Sequence, residues 1–371
     1  MLKLQEHLIQ YGLEETLSKF KLNIKDLGHK VMFKYDQLRS SLVNPEVHEA
    51  RGLVLAKDNW DIISMPFTRF FTHDDHYAAK LDLSTTVFTE KRDGTLIQVY
   101  WDYITDEWCV NTMFSECEDT FFGQSITLKT IFLDLLKKYN TSFDYFVVGT
   151  TYIFELTSQY NRVVVRYNEP ELRLIGARSI LSLKEIPYDK LSLISPGQIP
   201  VVETYNFSSM EECIESFQGK SFNFEGYVAF DGVNRVKIKN PAYVAVHLTK
   251  RMQDDLLDIS KPEIFLDIVK QNEISEFSSA FPHAKELIED LNTKYNLLIE
   301  KLNKAKIDIG VVSDSSAEAK KEFAKKVFSV LSENKINPGV SSLFFMFNDG
   351  KVNSVEEYLR NCDNKKLYKL L

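Results

Sequence analysis

The sequence is poor in the features that mark several broad protein classes. It holds four cysteines, Cys109, Cys117, Cys213 and Cys362, and no two of them have C-x-x-C spacing. Neither a cysteine zinc site nor a disulfide framework is signalled, so a reducing compartment is expected. No apolar run is long enough to span a bilayer. The start, Met1 to His7, is amphipathic and carries Glu6, which is unlike a signal peptide. A cytoplasmic protein without membrane contact is therefore expected. Net basic charge is missing too: 45 Lys and Arg stand against 53 Asp and Glu, for a net charge of −8. A polyanionic ligand would have to meet local lysines and arginines rather than a global field. Internal repeats and low-complexity segments are also absent.

What is present reads as a globular chain of about two domains. Its 371 residues are 44% hydrophobic and 12% aromatic, enough for a sizeable core rich in sheet-favouring Phe and Tyr. Residues 1 to about 30 read as short helices, with Leu4, Leu8, Ile9, Tyr11 and Leu13 near helical spacing. From Lys91 to about Lys250 the pattern is mostly strand. The strands expected include Met32–Tyr35, Thr86–Thr89, Thr95–Tyr100, Tyr152–Leu156, Asn161–Tyr167, Glu171–Arg178, Phe224–Phe230 and Arg235–Lys239. One amphipathic helix, Leu128 to Tyr139, interrupts them. After Lys250 glycine becomes rare and helical repeats take over. Leu287, Ile288, Leu291, Tyr295, Leu298, Ile299 and Leu302 mark one long helix. Ser315 to Glu318 reads as a capping box opening another, with Phe323, Val327, Phe328 and Leu331 on its apolar side. Ser354 caps a third. The expected fold class is α+β, an antiparallel-sheet domain over 1–250 followed by an all-helical domain over 251–371.

The chemistry concentrates in Thr89-Glu90-Lys91-Arg92-Asp93-Gly94-Thr95. Strands are expected on both sides, so Gly94 would let the chain turn and Lys91 would stand at the mouth of a hairpin. A lysine becomes a nucleophile when it loses its proton. Arg51-Gly52 precedes an apolar strand and can set a guanidinium at its entrance. Arg69 stands beside Phe70 and Phe71, of which at least one is expected in the core. Glu155 and Glu225 are single acids inside apolar strands. Lys237 and Lys239 alternate with Val236 and Ile238, so the two lysines share one face. The arginines of Asn161–Tyr167 and Glu171–Arg178 read first as a solvated face, with a polyanion-facing role as the lesser alternative. Charges in apolar strands need partners, because an unpaired buried charge is costly. Internal salt bridges would satisfy them. A nucleoside triphosphate with its metal would also do so, since it presents phosphates to cations, hydroxyls to acids and a metal to carboxylates.

The order of these motifs, K-x-D-G, an acid in an apolar strand, E-G-Y-V and K-x-K, resembles that of the covalent nucleotidyltransferases, the ligases and capping enzymes. Within them the chain is similar to the RNA ligase 1 family of T-even bacteriophages. That likeness includes Phe33-Lys34-Tyr35, Arg51-Gly52, Pro66 to Phe71, Asn161-Arg162 and Tyr243 to His247. DNA ligases and capping enzymes carry an OB-fold barrel after K-x-K, whereas this chain turns helical. The resemblance implies a nucleotidyltransferase domain that binds ATP and Mg²⁺, with Lys91 as the adenylated residue. Arg51 and Arg69 would contact the triphosphate, and Tyr35 matches a tyrosine of the nucleotide site. Asp93 and Glu225 would organise the metal and Glu155 the ribose. Lys237 and Lys239 would hold the α-phosphate, while Gly94 and Tyr243 belong to the same motifs. The implied substrate is RNA with 5′-phosphate and 3′-hydroxyl ends, such as a nicked tRNA. A kinase-phosphatase that prepares the ends would be a partner, and the enzyme would act as a monomer. One departure stands out: Met113 occupies the region where the family has a phosphate-contacting lysine. The alternatives are another lysyl-nucleotidyltransferase, or a catalytically silent RNA-binding module.

Overall fold

The computed structural model of the protein describes residues 1–118, 126–249, 261–312 and 316–371, the side chains of 248 and 249 excepted. The chain forms two compact units, Met1–His247 and Leu248–Leu371. The expected boundary between 250 and 251 lies outside the described residues. The fold class is α+β.

The first unit opens with helix α1 (Lys3–Phe20), kinked at Gly12, where φ is 79°. Short helices were expected to continue to about residue 30. Instead Lys21 closes α1 in the left-handed conformation, and Leu22–Leu27 forms strand β1. The cause lies outside the segment: β1 pairs along its whole length with β2 (Lys30–Tyr35). Helix α2 (Pro45–Glu49) leads into β3 (Arg51–Ala56) and β4 (Ile62–Ser64), completing a sheet in the order β1-β2-β3-β4.

Next come β5 (Phe71–Thr72), β6 (Val87–Lys91), β7 (Thr95–Asp102), β8 (Glu107–Asn111), α3 (Leu128–Lys138), β9 (Thr150–Thr157) and β10 (Glu171–Ser179). They are followed by α4 (Tyr188–Ile194), β11 (Thr204–Tyr205), α5 (Met210–Glu215), β12 (Gly226–Phe230), β13 (Arg235–Lys239) and α6 (Pro241–Thr249). A second sheet has the order β10-β9-β7-β8, and a third β11-β6-β12-β13-β5. The pairing is antiparallel except where β5 runs parallel to β13.

Two expectations fail here. Strands β6 and β7 do not form a hairpin: they belong to different sheets, and Arg92-Asp93-Gly94 is the crossing between them. Gly94 is needed for closeness, not for a turn. A Cβ there would lie 2.4 Å from the Leu156 carbonyl oxygen. Asn161–Tyr167 is not a strand either. Its apolar run Val163-Val164-Val165 looks like one, yet its backbone is held by side chains rather than by a ladder.

The first sheet is buried on both faces, Val31, Phe33, Leu53 and Leu55 toward α1 and Met32, Val54 and Ala56 toward Tyr100 of the second sheet. Phe132, Phe154, Tyr152, Leu156 and Leu172 are fully buried beneath the second sheet and α3, and Phe88, Tyr227, Ala229, Val236 and Ile238 beneath the third. The other face of the third sheet lines a cleft together with Tyr35 and Arg51 of the first sheet and Leu96, Glu155 and Ile175 of the second.

The described part of the second unit is helical: α7 (Leu266–Lys270), α8 (Ile274–Ala280), α9 (Lys285–Ile309), α10 (Ala317–Glu333), α11 (Ser341–Asn348), α12 (Val355–Asn361) and α13 (Asn364–Tyr368). The apolar stripe of α9 buries Ile288, Leu291, Tyr295, Leu298 and Leu302 as its spacing requires. Helix α10 is capped by Ser316, whose hydroxyl accepts from the Ala319 amide, so the cap lies one residue later than expected; Ser315 is outside the described residues. Phe328 of α10 is 49% exposed rather than buried. Ser354 caps α12 by accepting from the Glu357 amide.

Candidate active site

Strand register builds the centre of the site. Lys91 ends β6 opposite Gly226, and Gly226 lies opposite Lys239, the end of β13. Two lysines therefore flank a glycine across three adjacent strands. A side chain at Gly226 is excluded, since φ is +149° and a Cβ would sit 2.1 Å from the Ile238 oxygen. The carboxylate of Glu225, one residue earlier, fills this region. Its Oε1 is 2.7 Å from Lys91 Nζ and 3.6 Å from Lys239 Nζ. Glu225 is 5% exposed, a burial that only such cationic neighbours make tolerable.

The next row, Thr89, Val228 and Lys237, continues the cleft floor. Val236 and Ile238 point the other way and are buried, so the expected alternation of β13 holds. On the facing wall Leu96 pairs with Glu155. Burial pushes the Glu155 carboxyl up to about 8; Lys91 opposes this, while Glu225 and Asp93 add to it.

Two arginines close the far end. Arg51 donates to the Phe67 carbonyl at 3.2 Å and lies 5.4 Å from the Phe70 ring centre. Arg69 donates to the Tyr35 hydroxyl and stacks between the rings of Tyr35 and Phe71, at 4.6 and 5.1 Å. Burial pulls Arg51 below the ordinary arginine range; Arg69 and Arg235 reinforce this, and Tyr35 and Glu155 oppose it. An anion in the cleft would relieve that cost.

Tyr35, Arg51, Arg69, Lys91, Glu155, Lys237 and Lys239 all line this cleft, with Glu225 bound to Lys91. Asp93, Gly94 and Tyr243 are not in its lining. Asp93 is 4% exposed and fully engaged. Its Oδ2 accepts from the Val164 and Val165 amides at 2.8 and 2.6 Å, and its Oδ1 accepts from the Tyr243 hydroxyl at 2.8 Å. Three protein donors thus hold this carboxylate. Met113 packs on Gly52 instead of entering the cleft: a Cβ on Gly52 would meet its Cε at 2.7 Å. Of the aromatic pair, Phe71 is buried and Phe70 lines the cleft.

Sequence reasoning missed Arg235. It shares the Lys237–Lys239 face of β13, a position that the same alternation could have flagged. Its guanidinium is bidentate to Glu185 at 2.8 and 2.6 Å and lies 3.9 Å from the Phe67 ring centre. Burial alone would lower it, but Glu185 and then Tyr188 hold it above the usual range. Arg178 also donates to Glu185, at 2.7 Å, to the Oε1 that it shares with Arg235. Arg178 is 7% exposed, so it is not part of a solvated face.

The Glu155 shift has a measurable consequence. Its carboxyl titrates near 4.5 when unfolded and near 8 when folded, so between these values the folded state holds the extra proton. Stability from this group therefore falls as pH rises through that window and levels off above it. Without nucleotide, the wild type should lose a few degrees more in Tm between pH 5 and pH 8.5 than Glu155→Gln. Scanning calorimetry at both pH values checks this; parallel losses would contradict it.

A family described as RNA ligase matches residues 49–243, more than half of the chain. A protein named as a bifunctional polynucleotide kinase/RNA ligase, from Autographa californica nuclear polyhedrosis virus, is 27% identical over 315 residues, covering 78% of this chain and 43% of that protein. The RNA ligase of Rhodothermus phage RM378 is 22% identical over 384 residues, covering 84% of this chain and 85% of that one. The chain thus spans under half the length of the first and most of the second. An archaeal ATP-dependent RNA ligase structure aligns with a TM-score of 0.47 at 12% identity, over 89% of this chain and 90% of that one. The matched span runs from the start of β3 through β13, the region that carries Lys91, Glu155, Glu225 and the β13 lysines, and the chain belongs to the RNA ligase family of the T-even phage type.

Proposed function

We propose that the chain is an ATP-dependent RNA ligase acting through a lysyl-AMP. The observation that carries this reading is the Lys91–Gly226–Lys239 row with the Glu225 carboxylate between two ammonium groups, opening on a cleft that Arg51 and Arg69 close. In the first step Lys91, once deprotonated, attacks the α-phosphorus of ATP. The bond to the β-phosphate oxygen breaks and pyrophosphate leaves. Lys237 and Lys239 neutralise the α-phosphate, Arg51 and Arg69 the departing phosphates, and Glu155 bonds the ribose. In the second step a 5′-phosphate oxygen of RNA attacks the adenylyl phosphorus, and the P–N bond to Lys91 breaks. In the third a 3′-hydroxyl attacks the activated 5′-phosphate and AMP leaves.

A divalent cation, expected to be Mg²⁺, would supply positive charge against the phosphate oxygens. Glu225 suits it as a hard oxygen donor held against Lys91 and Lys239, which line the cleft. Among the described residues no group of three acidic, His or Cys side chains is placed to hold a metal ion, so water and phosphate would complete the shell. Asp93 has a different role in this reading: it holds residues 164 and 165 and Tyr243 rather than a metal.

The helical unit is proposed to select the RNA. Lys301 and Lys304 of α9 and Lys320, Lys321, Lys325 and Lys326 of α10 are exposed and available to phosphates, whereas Lys306 is half-buried over the Phe347 ring at 3.8 Å. Broken structured RNA of the nicked-tRNA kind is the substrate class, and an end-healing kinase-phosphatase the partner class. The proposed setting is a monomer in the cytoplasm; among the described residues no helix is long and apolar enough to cross a membrane.

The test is incubation with α-labelled ATP and Mg²⁺, then with 5′-phosphorylated RNA. Labelled protein, then labelled RNA, then sealed RNA is the expected series. Unlabelled protein, or sealing of DNA alone, would refute the reading. At matched salt the full chain should prefer a broken stem-loop over linear RNA, and a chain cut near Asp255, outside the described residues, should lose that preference. An equal preference in a folded truncation would remove the selection role.

A further inference from the structure

Most arginines of the first unit have an acidic partner. Arg39, Arg92, Arg173, Arg178 and Arg235 each have a carboxylate within 4.0 Å. Among the described residues, Arg51, Arg69, Arg162 and Arg166 have none. In a chain with 53 acids against 45 bases, arginines left without acids are notable. Two of the four close the nucleotide cleft. The other two, Arg162 and Arg166, are both exposed and lie outside it, on the segment between β9 and β10.

This segment is tied to the catalytic motif. Asp93, two residues past Lys91, accepts the Val164 and Val165 amides, and both valines are buried. Asn161 Nδ2 donates to the Leu156 carbonyl at 2.8 Å and to the Thr95 hydroxyl at 2.9 Å, while its Oδ1 accepts from Ser158 at 2.6 Å. The Asp93 amide donates to the Tyr167 hydroxyl at 3.3 Å, and Arg92 lies 5.1 Å from the Tyr167 ring centre. Arg162 itself is braced by its Nε, which donates to the Val164 carbonyl at 3.1 Å. A merely solvated face would need no such anchoring. Here a buried carboxylate of the nucleophile's own motif fixes the two residues between a pair of exposed guanidiniums.

We propose that residues 158–167 form a docking site for the sugar-phosphate backbone of the RNA strand that receives the adenylate, with Arg162 and Arg166 each neutralising one phosphate. The proposal rests on the RNA ligase reading and deepens it. ATP already has four cations in its cleft, so this second cationic pair serves a second polyanion beside Lys91. Arginine suits the task because its planar fork matches phosphate oxygens. The coupling through Asp93 would bring the RNA end into register with the lysyl-AMP without any contact to the bases.

The test uses the full chain, the double variant Arg162→Ala/Arg166→Ala and the charge-keeping Arg162→Lys/Arg166→Lys. Three rates are read: self-labelling with α-labelled ATP, transfer of AMP to 5′-phosphorylated single-stranded RNA, and sealing of pre-adenylated RNA. In the alanine variant, self-labelling should stay within about twofold, and both RNA steps should fall at least tenfold at about 0.15 M salt. The salt slope of the RNA steps should shrink by about 1.4, for two lost contacts to a single strand. The lysine variant should keep most of that slope. Unchanged RNA steps with an unchanged slope would overturn the proposal. So would equal losses in self-labelling and RNA transfer, which would mean the segment serves only the fold of the motif. A wild-type chain that never labels itself would instead reject the ligase reading, a separate outcome.

Discussion

Lys91→Ala protein incubated with α-labelled ATP and a divalent metal should carry no label, a loss of at least 10³-fold against the wild type, and Lys91→Arg should behave alike. The alanine variant lacks the nucleophile. The arginine variant keeps the charge near Glu225 but stays protonated at any working pH, so it offers no lone pair to the α-phosphorus. The pairing makes the experiment specific. Lys91 is held by Glu225 at 2.7 Å, and an arginine can keep a similar ion pair, so loss of label in a folded Lys91→Arg protein isolates chemistry from packing. Covalent label on either variant would mean that another residue is adenylated.

The second large effect is expected at Glu225. Glu225→Gln keeps the shape and removes the charge that sits between Lys91 and Lys239. Self-labelling should fall by about 10²-fold or more, the scale on which preorganised electrostatic groups act. It should not recover when the metal is raised, because the oxygen donor of full charge is gone. Lys239→Ala should lose a similar factor by leaving the α-phosphate under-neutralised and Glu225 buried with one cation fewer. Because both residues engage the same carboxylate, the double variant should lose much less than the product of the single losses. Additive losses would show that Glu225 and Lys239 act separately. Full labelling by Glu225→Gln at low Mg²⁺ would remove it from the metal and phosphate machinery.

The clearest failures of sequence reading share one cause. Leu22–Leu27 carries no strong local signal, and only pairing with β2 makes it a strand. Val163-Val164-Val165 carries a strong β signal, yet Asp93 takes two of its amides and no ladder forms. In both, a partner distant in sequence outweighs local propensity. The hairpin expected around Gly94 failed likewise, since alternation cannot tell which sheet a strand will join.

By itself the sequence marked the candidates for the chemistry: the lysine of K-x-D-G, the acids in apolar strands, and the two lysines that β13 must present on one face. Period-two geometry makes that last inference nearly obligatory. Helical periodicity likewise pointed to helices beyond β13, and the described part of that region is helical. Only the tertiary structure decided that Lys91, Gly226 and Lys239 lie in one row, because register depends on the pairing of three strands far apart in the chain. It also decided the partition of the charges. Arg235 and Arg178 pair with Glu185, Asp93 accepts from two backbone amides and the Tyr243 hydroxyl, and among the described residues Arg51, Arg69, Arg162 and Arg166 have no carboxylate partner. Composition counts charges, but whether each is consumed inside the fold depends on a neighbour within a few ångströms, and folding alone supplies that neighbour.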